Sequence, residues 1–253
     1  MKGTVFLTGA SSGIGKELTK VFLENGWKVI ASARRKNLIT KGLRLPKKYI
    51  EKNLLSIKID ITKKKNLKKQ ISKAFSKFDI PDITILNAGT NNPNKNHLVK
   101  VEETKYIFDT NFFGTINCIE EIIPFIKKKK YSQLVVMSSV AGYRGLPYAA
   151  AYCSSKAALT NYCEAIYHQC KLLGINVRLI NPGFIKTPLT DKNDFKMPLI
   201  IAARSAALII YKKILTTKSF EISLPFIFCL IMKLLKILPY SIYFRITKVL
   251  LKN

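Results

Sequence analysis

Three residues in the middle of the chain have side chains that could move a proton. Ser139 ends an apolar run, and Tyr152 and Lys156 follow it, four residues apart, in a stretch with helical character. Residues at this spacing share one helix face, so the Lys156 ammonium can point toward the Tyr152 hydroxyl. A free phenol has a pKa of about 10, and a neighbouring positive charge favours its ionised form. The pattern predicts a tyrosine acid–base group whose pKa Lys156 lowers.

A second tyrosine–lysine pair has the same spacing. Tyr167 and Lys171 are also four residues apart, and Ser154 again precedes the tyrosine by thirteen residues. Ser154 and Tyr167 fall on one predicted helix, about 20 Å apart at 1.5 Å per residue, so they cannot share a substrate. Ser139 instead lies at the carboxyl end of a predicted strand, where ligands of open α/β sheets bind. Only the first set can converge on one site.

A glycine-rich turn follows the first predicted strand and leads directly into a helix pattern. Its glycines allow a tight turn and close approach of the backbone to a pyrophosphate, which the helix N-terminus then faces. A phosphate-binding P-loop would need glycine and a hydroxyl residue where Ala10 and Glu17 stand, so ATP binding of that kind is excluded. The candidate cofactor contacts in the turn are Gly9, Ser11, Ser12, Gly13, Ile14 and Gly15.

The end of the second predicted strand indicates which dinucleotide binds. An NAD site usually has an acidic residue there, which binds the ribose hydroxyls. This strand ends in Arg34 and Arg35, two guanidinium groups suited to a 2′-phosphate. A solvated basic loop is the alternative explanation. The sequence favours NADP(H), with NAD(H) as the second choice.

The elements that must position these residues alternate along the chain. Repeated strand–helix alternation with continuously apolar strands predicts a single-domain, doubly wound parallel sheet of the Rossmann type, an α/β fold. No clear helix is predicted between Arg35 and Leu54. The predicted strands are 3–8, 28–33, 54–59, 82–87, 132–138 and 175–181, and the predicted helices are 13–25, 63–77, 101–128, 150–173 and 199–214.

Taken together, these motifs identify a family. Over residues 3–215 the chain resembles the compact, single-domain short-chain dehydrogenases/reductases. Leu86 departs from the pattern, because many members have a second Asn before the Asn-Ala-Gly motif. The matching positions are residues 8–15, Asp60, Asn87, Ala88, Gly89, Asn111, Ser139, Tyr152, Lys156, Asn181, Pro182, Gly183 and Thr187.

The resemblance implies roles for several of these residues. Asp60 would contact the adenine, Asn87 would brace the cofactor side of the sheet, and Thr187 would touch the nicotinamide amide. Asn111 would hold a water that links Lys156 to solvent, and Lys156 would also bind the nicotinamide ribose. The implied reaction transfers hydride between the cofactor and a carbonyl or secondary alcohol. Tyr152 would exchange the proton, and Ser139 would hydrogen-bond the substrate oxygen.

Two other functions remain open. Nucleotide-sugar epimerases share the fold and the tyrosine–lysine spacing but usually carry a larger C-terminal domain, and only about 70 residues follow Gly183. A non-catalytic dinucleotide-binding sensor is the other alternative. The segment 188–198 and the helix after it are predicted to form a lid over an apolar substrate. Relatives commonly form dimers or tetramers through the helices at 101–128 and 150–173.

Composition limits the classes of partner and site. The chain has 43 Lys and Arg against 15 Asp and Glu, but the lysines are spread throughout and no nucleic-acid motif is present, so no nucleic-acid partner is expected. Five scattered cysteines indicate free thiols in a reducing compartment. Only two histidines occur, His97 and His168, and no metal site is predicted. The first strand pattern leaves no room for a signal peptide, so a cytoplasmic location is expected.

The C-terminal segment, residues 223–253, has a different character from the catalytic domain, residues 1–222. Residues 222–232 are uncharged, too short a run to cross a bilayer core. Lys233 and Lys236 share one helix face, and Arg245, Lys248 and Lys252 form a second basic edge beyond Pro239. Apolar helices with basic edges suit an anionic membrane surface, here the inner face of the membrane. Packing on the protein itself is the alternative.

Overall fold

A computed structural model describes residues 2–92, 100–193 and 197–251. His97, Lys252 and the middle of the predicted lid, residues 194–196, lie outside the described residues. The central feature is a seven-stranded parallel sheet with strand order β3-β2-β1-β4-β5-β6-β9. Its strands are β1 (Thr4–Thr8), β2 (Lys28–Ala33), β3 (Leu54–Lys58), β4 (Ile83–Leu86), β5 (Ser132–Met137), β6 (Ile175–Pro182) and β9 (Glu221–Leu224), and a separate two-stranded sheet pairs β7 (Ile185–Lys186) with β8 (Ile201–Ala202).

Helices cover both faces of the main sheet. Apolar side chains of α1 and α7 pack on one face, and those of α3, α5 and α6 pack on the other. The central strands are buried on both faces, which explains their continuous apolar sequences. This architecture confirms the predicted doubly wound α/β fold. The helices are α1 (Gly13–Glu24), α2 (Lys47–Asn53), α3 (Lys64–Phe78), α4 (Val101–Phe108), α5 (Gly114–Ile126), α6 (Ala150–Leu172), α7 (Ala203–Thr216), α8 (Phe226–Ile237) and α9 (Tyr240–Thr247).

Several elements differ from those expected, among them the short strands β7 and β8, which were not predicted. Helix α2 lies in the stretch where no clear helix was predicted. The single helix predicted at 101–128 is interrupted by a π-helical turn at Asp109–Phe113. Strand β9 was not predicted at all, and it continues past residue 222 into the C-terminal segment. A four-residue strand joined to a longer apolar run gives no separate periodic signal, which explains the omission.

The C-terminal segment packs on the catalytic domain. Cys229 and Met232 of α8 are buried against Val140, which follows β5. Tyr243 of α9 is also buried, and its hydroxyl donates a hydrogen bond to the carbonyl of Gly145. Within the described part of the chain, no helix has both the length and the apolar character needed to cross a membrane.

Candidate active site

The predicted site residues gather at one edge of the sheet. Because the strands are parallel, their carboxyl ends open into a single cleft, as in other folds of this topology. Gly15 and Asn111 lie just behind the cleft wall and are described below. The predicted residues that line the cleft are Gly9, Ser11, Ser12, Gly13, Ile14, Arg34, Arg35, Asp60, Asn87, Ala88, Gly89, Ser139, Tyr152, Lys156, Pro182, Gly183 and Thr187.

The turn after β1 is built on glycine for steric reasons. Gly9 has φ +72°, and a Cβ on it would lie 2.8 Å from the Cα of Ala88. A Cβ on Gly15 would lie 2.4 Å from the Gly9 carbonyl oxygen. Ser12 precedes α1 and its side chain makes no capping hydrogen bond. The first turn of α1, whose residues Gly13 and Ile14 line the cleft, has no side-chain acceptor from Ser12, and free N–H groups at a helix N-terminus suit an anion.

Asn87 holds this turn against β4. Its Nδ2 donates to the carbonyl oxygens of Thr8, at 3.1 Å, and Gly9, at 3.3 Å. The Thr8 hydroxyl also accepts hydrogen bonds from the backbone N–H groups of Asn87 and Ala88. The side chain fixes the position of the glycine turn relative to the next strand of the sheet. Thr8 was not singled out in the sequence, although its place between strand and turn was visible there.

Cations surround the far end of the cleft. Arg34 and Arg35 follow β2 and also line an adjoining hollow with Lys36 and Lys58. The remaining lining residues of the hollow are neutral: Asn37, Thr40 and Ser56. Lys58 was not predicted as a site residue. It ends β3 and pairs in register with Ala33, so the parallel pairing of β2 and β3 brings it beside the two arginines.

Asp60 and Thr187 stand on the rim of the cleft. One carboxylate oxygen of Asp60 accepts hydrogen bonds from the N–H and the hydroxyl of Thr62, at 3.0 and 2.8 Å, which fixes its orientation. Thr187 faces the glycine turn, since a Cβ on Gly13 would lie 3.1 Å from its methyl group. The backbone N–H of Thr187 donates to the Thr190 hydroxyl at 3.0 Å.

Ser139 and Tyr152 meet on the cleft wall. Ser139 follows β5, and its hydroxyl accepts a 3.1 Å hydrogen bond from Ala141 N and lies 3.4 Å from Pro182 O. Burial raises the pKa of Tyr152 to about 12, although a hydrogen bond with Ser139 acts in the opposite direction. The phenol is therefore protonated at neutral pH, which is the state of a proton donor.

Lys156 lies beneath Tyr152. Its ammonium is 5.9 Å from the centre of the Tyr152 ring and donates a 2.8 Å hydrogen bond to the Met137 carbonyl oxygen. Burial lowers the pKa of Lys156 to about 8. Burial dominates the pKa of Tyr152 and acts against the lowering that is expected from Lys156. The amine and the phenol nevertheless share one face of α6, as their spacing predicts.

Asn111 sits in the π-helical turn, fully buried behind Gly89. Its side chain accepts a 2.7 Å hydrogen bond from Thr90 N and donates to Thr90 O and to the Ser155 hydroxyl, both at 3.0 Å. These bonds join the segment after β4 to α6, the helix that carries Tyr152. π-Turns occur often at functional sites, and this one turns Asn111 inward.

The second tyrosine–lysine pair lies away from the cleft. Tyr167 is partly buried and packs edge-to-face on Phe220, with ring centres 5.5 Å apart, against the outside of the core. The hydroxyl of Ser154 donates to the carbonyl of Ala150 on its own helix. This placement agrees with the geometric argument made from the sequence.

The first part of the predicted lid borders the cleft. Pro188, Leu189 and Thr190 line it, and the Thr190 hydroxyl donates a 2.6 Å hydrogen bond to the carbonyl of Ile185. On the other side, Phe228 of α8 packs against Phe184, the residue after Gly183, with ring centres 5.3 Å apart and a tilted geometry. The C-terminal segment thus supports the wall of the cleft from behind.

Comparison with known proteins assigns the family. Residues 3–197 match the family model described as short chain dehydrogenase. An uncharacterized oxidoreductase of Myxococcus xanthus (strain DK1622) is 30% identical over 240 residues, covering 95% of this chain and 94% of the relative. A 3-ketodihydrosphingosine reductase of Bacteroides thetaiotaomicron is 29% identical and covers 75% of this chain and 66% of the relative. This chain belongs to the short-chain dehydrogenase/reductase family of oxidoreductases.

Solved structures share the fold. A short-chain dehydrogenase from Burkholderia cenocepacia J2315, in complex with NADP, has a TM-score of 0.82 at 23% identity and covers 96% of both chains. A 3-ketoacyl-(acyl-carrier-protein) reductase from Brucella melitensis, complexed with NADH, has a TM-score of 0.75 at 23% identity. The match between the two covers 88% of this chain and 97% of the Brucella reductase.

Proposed function

We propose that this protein is an NADPH-dependent reductase that transfers hydride to the carbonyl of an apolar substrate, with Tyr152 as the proton donor. The observation that carries the proposal is the convergence of Ser139, Tyr152 and Lys156 beside the glycine turn in one cleft. The family assignment supports the reaction class independently. The reverse reaction, oxidation of a secondary alcohol, uses the same groups.

The cleft residues fit a dinucleotide. At Gly9 and Gly13 the backbone has φ +72° and +54°, and an added Cβ would meet Ala88 or Thr187, so the turn requires glycine at both positions. The pyrophosphate of the cofactor would lie against this turn and the start of α1. Asp60 would contact the adenine, and Thr187 would contact the nicotinamide amide. Pro182, Gly183 and Ala88 would line the nicotinamide side.

The basic hollow supports a preference for NADPH over NADH. Arg34 and Arg35 with Lys36 and Lys58 supply four positive charges, and no acidic residue lines the hollow among the described residues. A 2′-phosphate there would gain charge-assisted hydrogen bonds from the guanidinium groups. A bare ribose hydroxyl would find no carboxylate acceptor in the hollow. NADH remains a weaker alternative cofactor.

The proton chemistry rests on residues of this chain. Bound NADPH supplies the hydride. Tyr152 stays protonated at neutral pH, because its pKa is about 12, and donates its proton to the carbonyl oxygen. The Ser139 hydroxyl hydrogen-bonds the same oxygen as negative charge develops. Lys156 carries its charge below pH about 8, stabilises the phenolate that remains, and would bind the nicotinamide ribose. Asn111, through its hydrogen bonds to Thr90 and Ser155, positions α6 relative to the segment after β4.

Carbonyl chemistry on an apolar substrate agrees with the surroundings of the site. Ile185, Pro188 and Leu189 are apolar lining residues on the substrate side of the cleft. Two relatives carry names that refer to a keto compound and a hydroxysteroid, the Bacteroides reductase and the 11-beta-hydroxysteroid dehydrogenase 1A of Arabidopsis thaliana, 28% identical over 193 residues.

Steady-state oxidation of NADPH against ketones and aldehydes of increasing chain length tests the proposal. The expected result is turnover whose kcat/KM rises with chain length. Binding of NADPH without turnover of any carbonyl would favour the sensor function. Interconversion of nucleotide sugars without net consumption of NADPH would favour the epimerase alternative.

A further inference from the structure

Helix α8 is fixed on the protein by its inner side. Cys229 and Met232 are buried, and Lys233 forms an ion pair with Glu221. Burial opposes ionisation of Glu221, but hydrogen bonds, the largest from Lys233, outweigh it and lower its pKa to about 2. At the end of the helix, Arg144 donates hydrogen bonds to the carbonyl oxygens of Leu235 and Leu238, both at 2.7 Å. These contacts fix which side of α8 faces the protein and leave its outer side exposed.

That outer side is apolar. Phe226 and Ile237, at its two ends, are 72% and 77% exposed, and the four residues between them on the same face are about half exposed. Six neighbouring apolar side chains exposed to this degree form one continuous apolar patch, and large exposed patches of this kind mark interaction sites. We define the outer face of α8 as Phe226, Ile227, Leu230, Ile231, Leu234 and Ile237.

The charged residues that follow Glu221 in the described part of the chain are all basic. Glu221 is the last acidic residue of the sequence. Lys236, Arg245 and Lys248 lie in α8, in α9 and just after it, and all three are exposed. A second copy of the chain, placed symmetrically on the outer face, would bring these like charges together. An anionic surface would complement them, and apolar helices with basic edges lie in the headgroup layer of such bilayers.

We infer that the outer face of α8, together with the basic residues of α8 and α9, binds the surface of an anionic lipid bilayer. The apolar side chains enter the boundary between headgroups and acyl chains, and the cations contact lipid phosphates. The inner side of α8 contacts Phe184 and Gly183 through Phe228, so the helix proposed to bind the bilayer also packs behind the cleft wall. The inference does not depend on the proposed reaction.

Flotation of the full-length protein with vesicles tests the apolar contact. Binding is expected to phosphatidylglycerol–phosphatidylcholine vesicles and much less to pure phosphatidylcholine. The double substitution Leu230→Gln and Leu234→Gln should reduce binding at least tenfold. Leu172→Gln with Leu215→Gln, two exposed leucines outside the C-terminal segment, is the matched control and should bind normally. Thermal melting checks that all variants are folded.

A second pair of variants separates local from general electrostatics, because a chain with a formal charge of +28 is attracted to any anionic surface. Lys236→Gln with Arg245→Gln should weaken binding on the order of tenfold or more, at about 1 kcal/mol per charge. Lys68→Gln with Lys69→Gln, on exposed positions of α3, removes the same net charge and should have little effect. Equal losses in both pairs, or no binding to anionic vesicles at low salt, would overturn the inference. The inference would also be overturned if the protein sedimented as a dimer, the leucine variants dissociated this dimer, and the same variants still bound vesicles.

Discussion

The ammonium of Lys156 donates a 2.8 Å hydrogen bond to the carbonyl oxygen of Met137, the last residue of β5. This bond ties the catalytic helix α6 to the strand that leads to Ser139. It also keeps the amine in a buried position, where the charged form is disfavoured and the pKa falls to about 8. Lys156 therefore titrates in an accessible pH range, whereas Tyr152, with a pKa of about 12, does not.

The pH dependence of reduction should follow Lys156. An amine is charged below its pKa, so kcat/KM is expected to be highest below pH 8 and to fall as the pH rises through about 8. In Lys156→Arg the side chain stays charged throughout, and the decline near pH 8 should vanish from whatever activity remains. Rates with saturating NADPH between pH 6 and 10 measure this. An unchanged inflection in the arginine variant would mean that another group controls the rate.

Substitution of Tyr152 by phenylalanine should remove turnover and keep cofactor binding. Loss of an acid–base group typically lowers the rate by about 10² to 10⁴. NADPH affinity should change little, since the ring remains. Tyr167→Phe is the matched control, because Tyr167 has the same spacing to a lysine but packs on Phe220 and does not line the cleft. Steady-state rates and fluorescence titration check both variants, and a larger loss in Tyr167→Phe would refute the site assignment.

The arginine pair should determine cofactor choice. Arg34→Ala with Arg35→Ala is expected to weaken NADPH binding by roughly 10- to 100-fold, the effect of losing one or two charge-assisted contacts. NADH binding should change by less than about threefold, because NADH has no 2′-phosphate. Titrations with NADPH and with NADH measure the two affinities. The double variant Lys47→Ala with Lys48→Ala on α2 is the control, because it removes the same net charge away from the cleft. Equal losses for both cofactors would contradict the assignment.

Much of the fold and site follows from sequence, because long apolar strands and fixed motif spacings are local signals. Six of the seven strands of the main sheet were predicted, and about half of the residues that line the cleft were named from the sequence. What was missed depends on tertiary contacts. Strand β9 exists because it pairs with the edge of β6, and Lys58 joins the arginines only through the register of β2 and β3. Neither pairing can be read from the chain itself.

The pKa of Tyr152 shows the same limit. Its spacing to Lys156 correctly indicates a shared helix face, but not how deeply the phenol is buried. Burial depends on the packing around the whole cleft, and here it raises the pKa of the tyrosine to about 12.

A methyl group at Gly9 should disrupt cofactor binding. The residue has φ +72°, and a Cβ would meet Ala88 Cα at 2.8 Å, so the turn must shift. Gly9→Ala is expected to lower NADPH affinity at least tenfold and to destabilise the fold by about 1–3 kcal/mol. Gly145→Ala is the control, because no atom lies within 4 Å of its added Cβ. Calorimetric titration and thermal melting measure both effects, and wild-type affinity in Gly9→Ala would show that the turn does not hold the cofactor.

Removal of the buried charge of Lys156 should stabilise the protein while abolishing its activity. The folded pKa of about 8 lies below the ordinary value of 10.5, so the unfolded chain binds the proton more tightly. The cost of burying the charge is therefore fully present below pH 8, declines between pH 8 and 10.5, and is absent above that range.

Lys156→Met is expected to raise Tm at pH 7 by roughly 2–4 °C, the shift that about 1 kcal/mol produces in a chain of this size. The gain should shrink toward pH 10. Lys171→Met, an exposed lysine on the same helix, should change Tm little at either pH. A lower Tm for Lys156→Met at pH 7 would show that the bond to Met137 outweighs the cost of burying the charge.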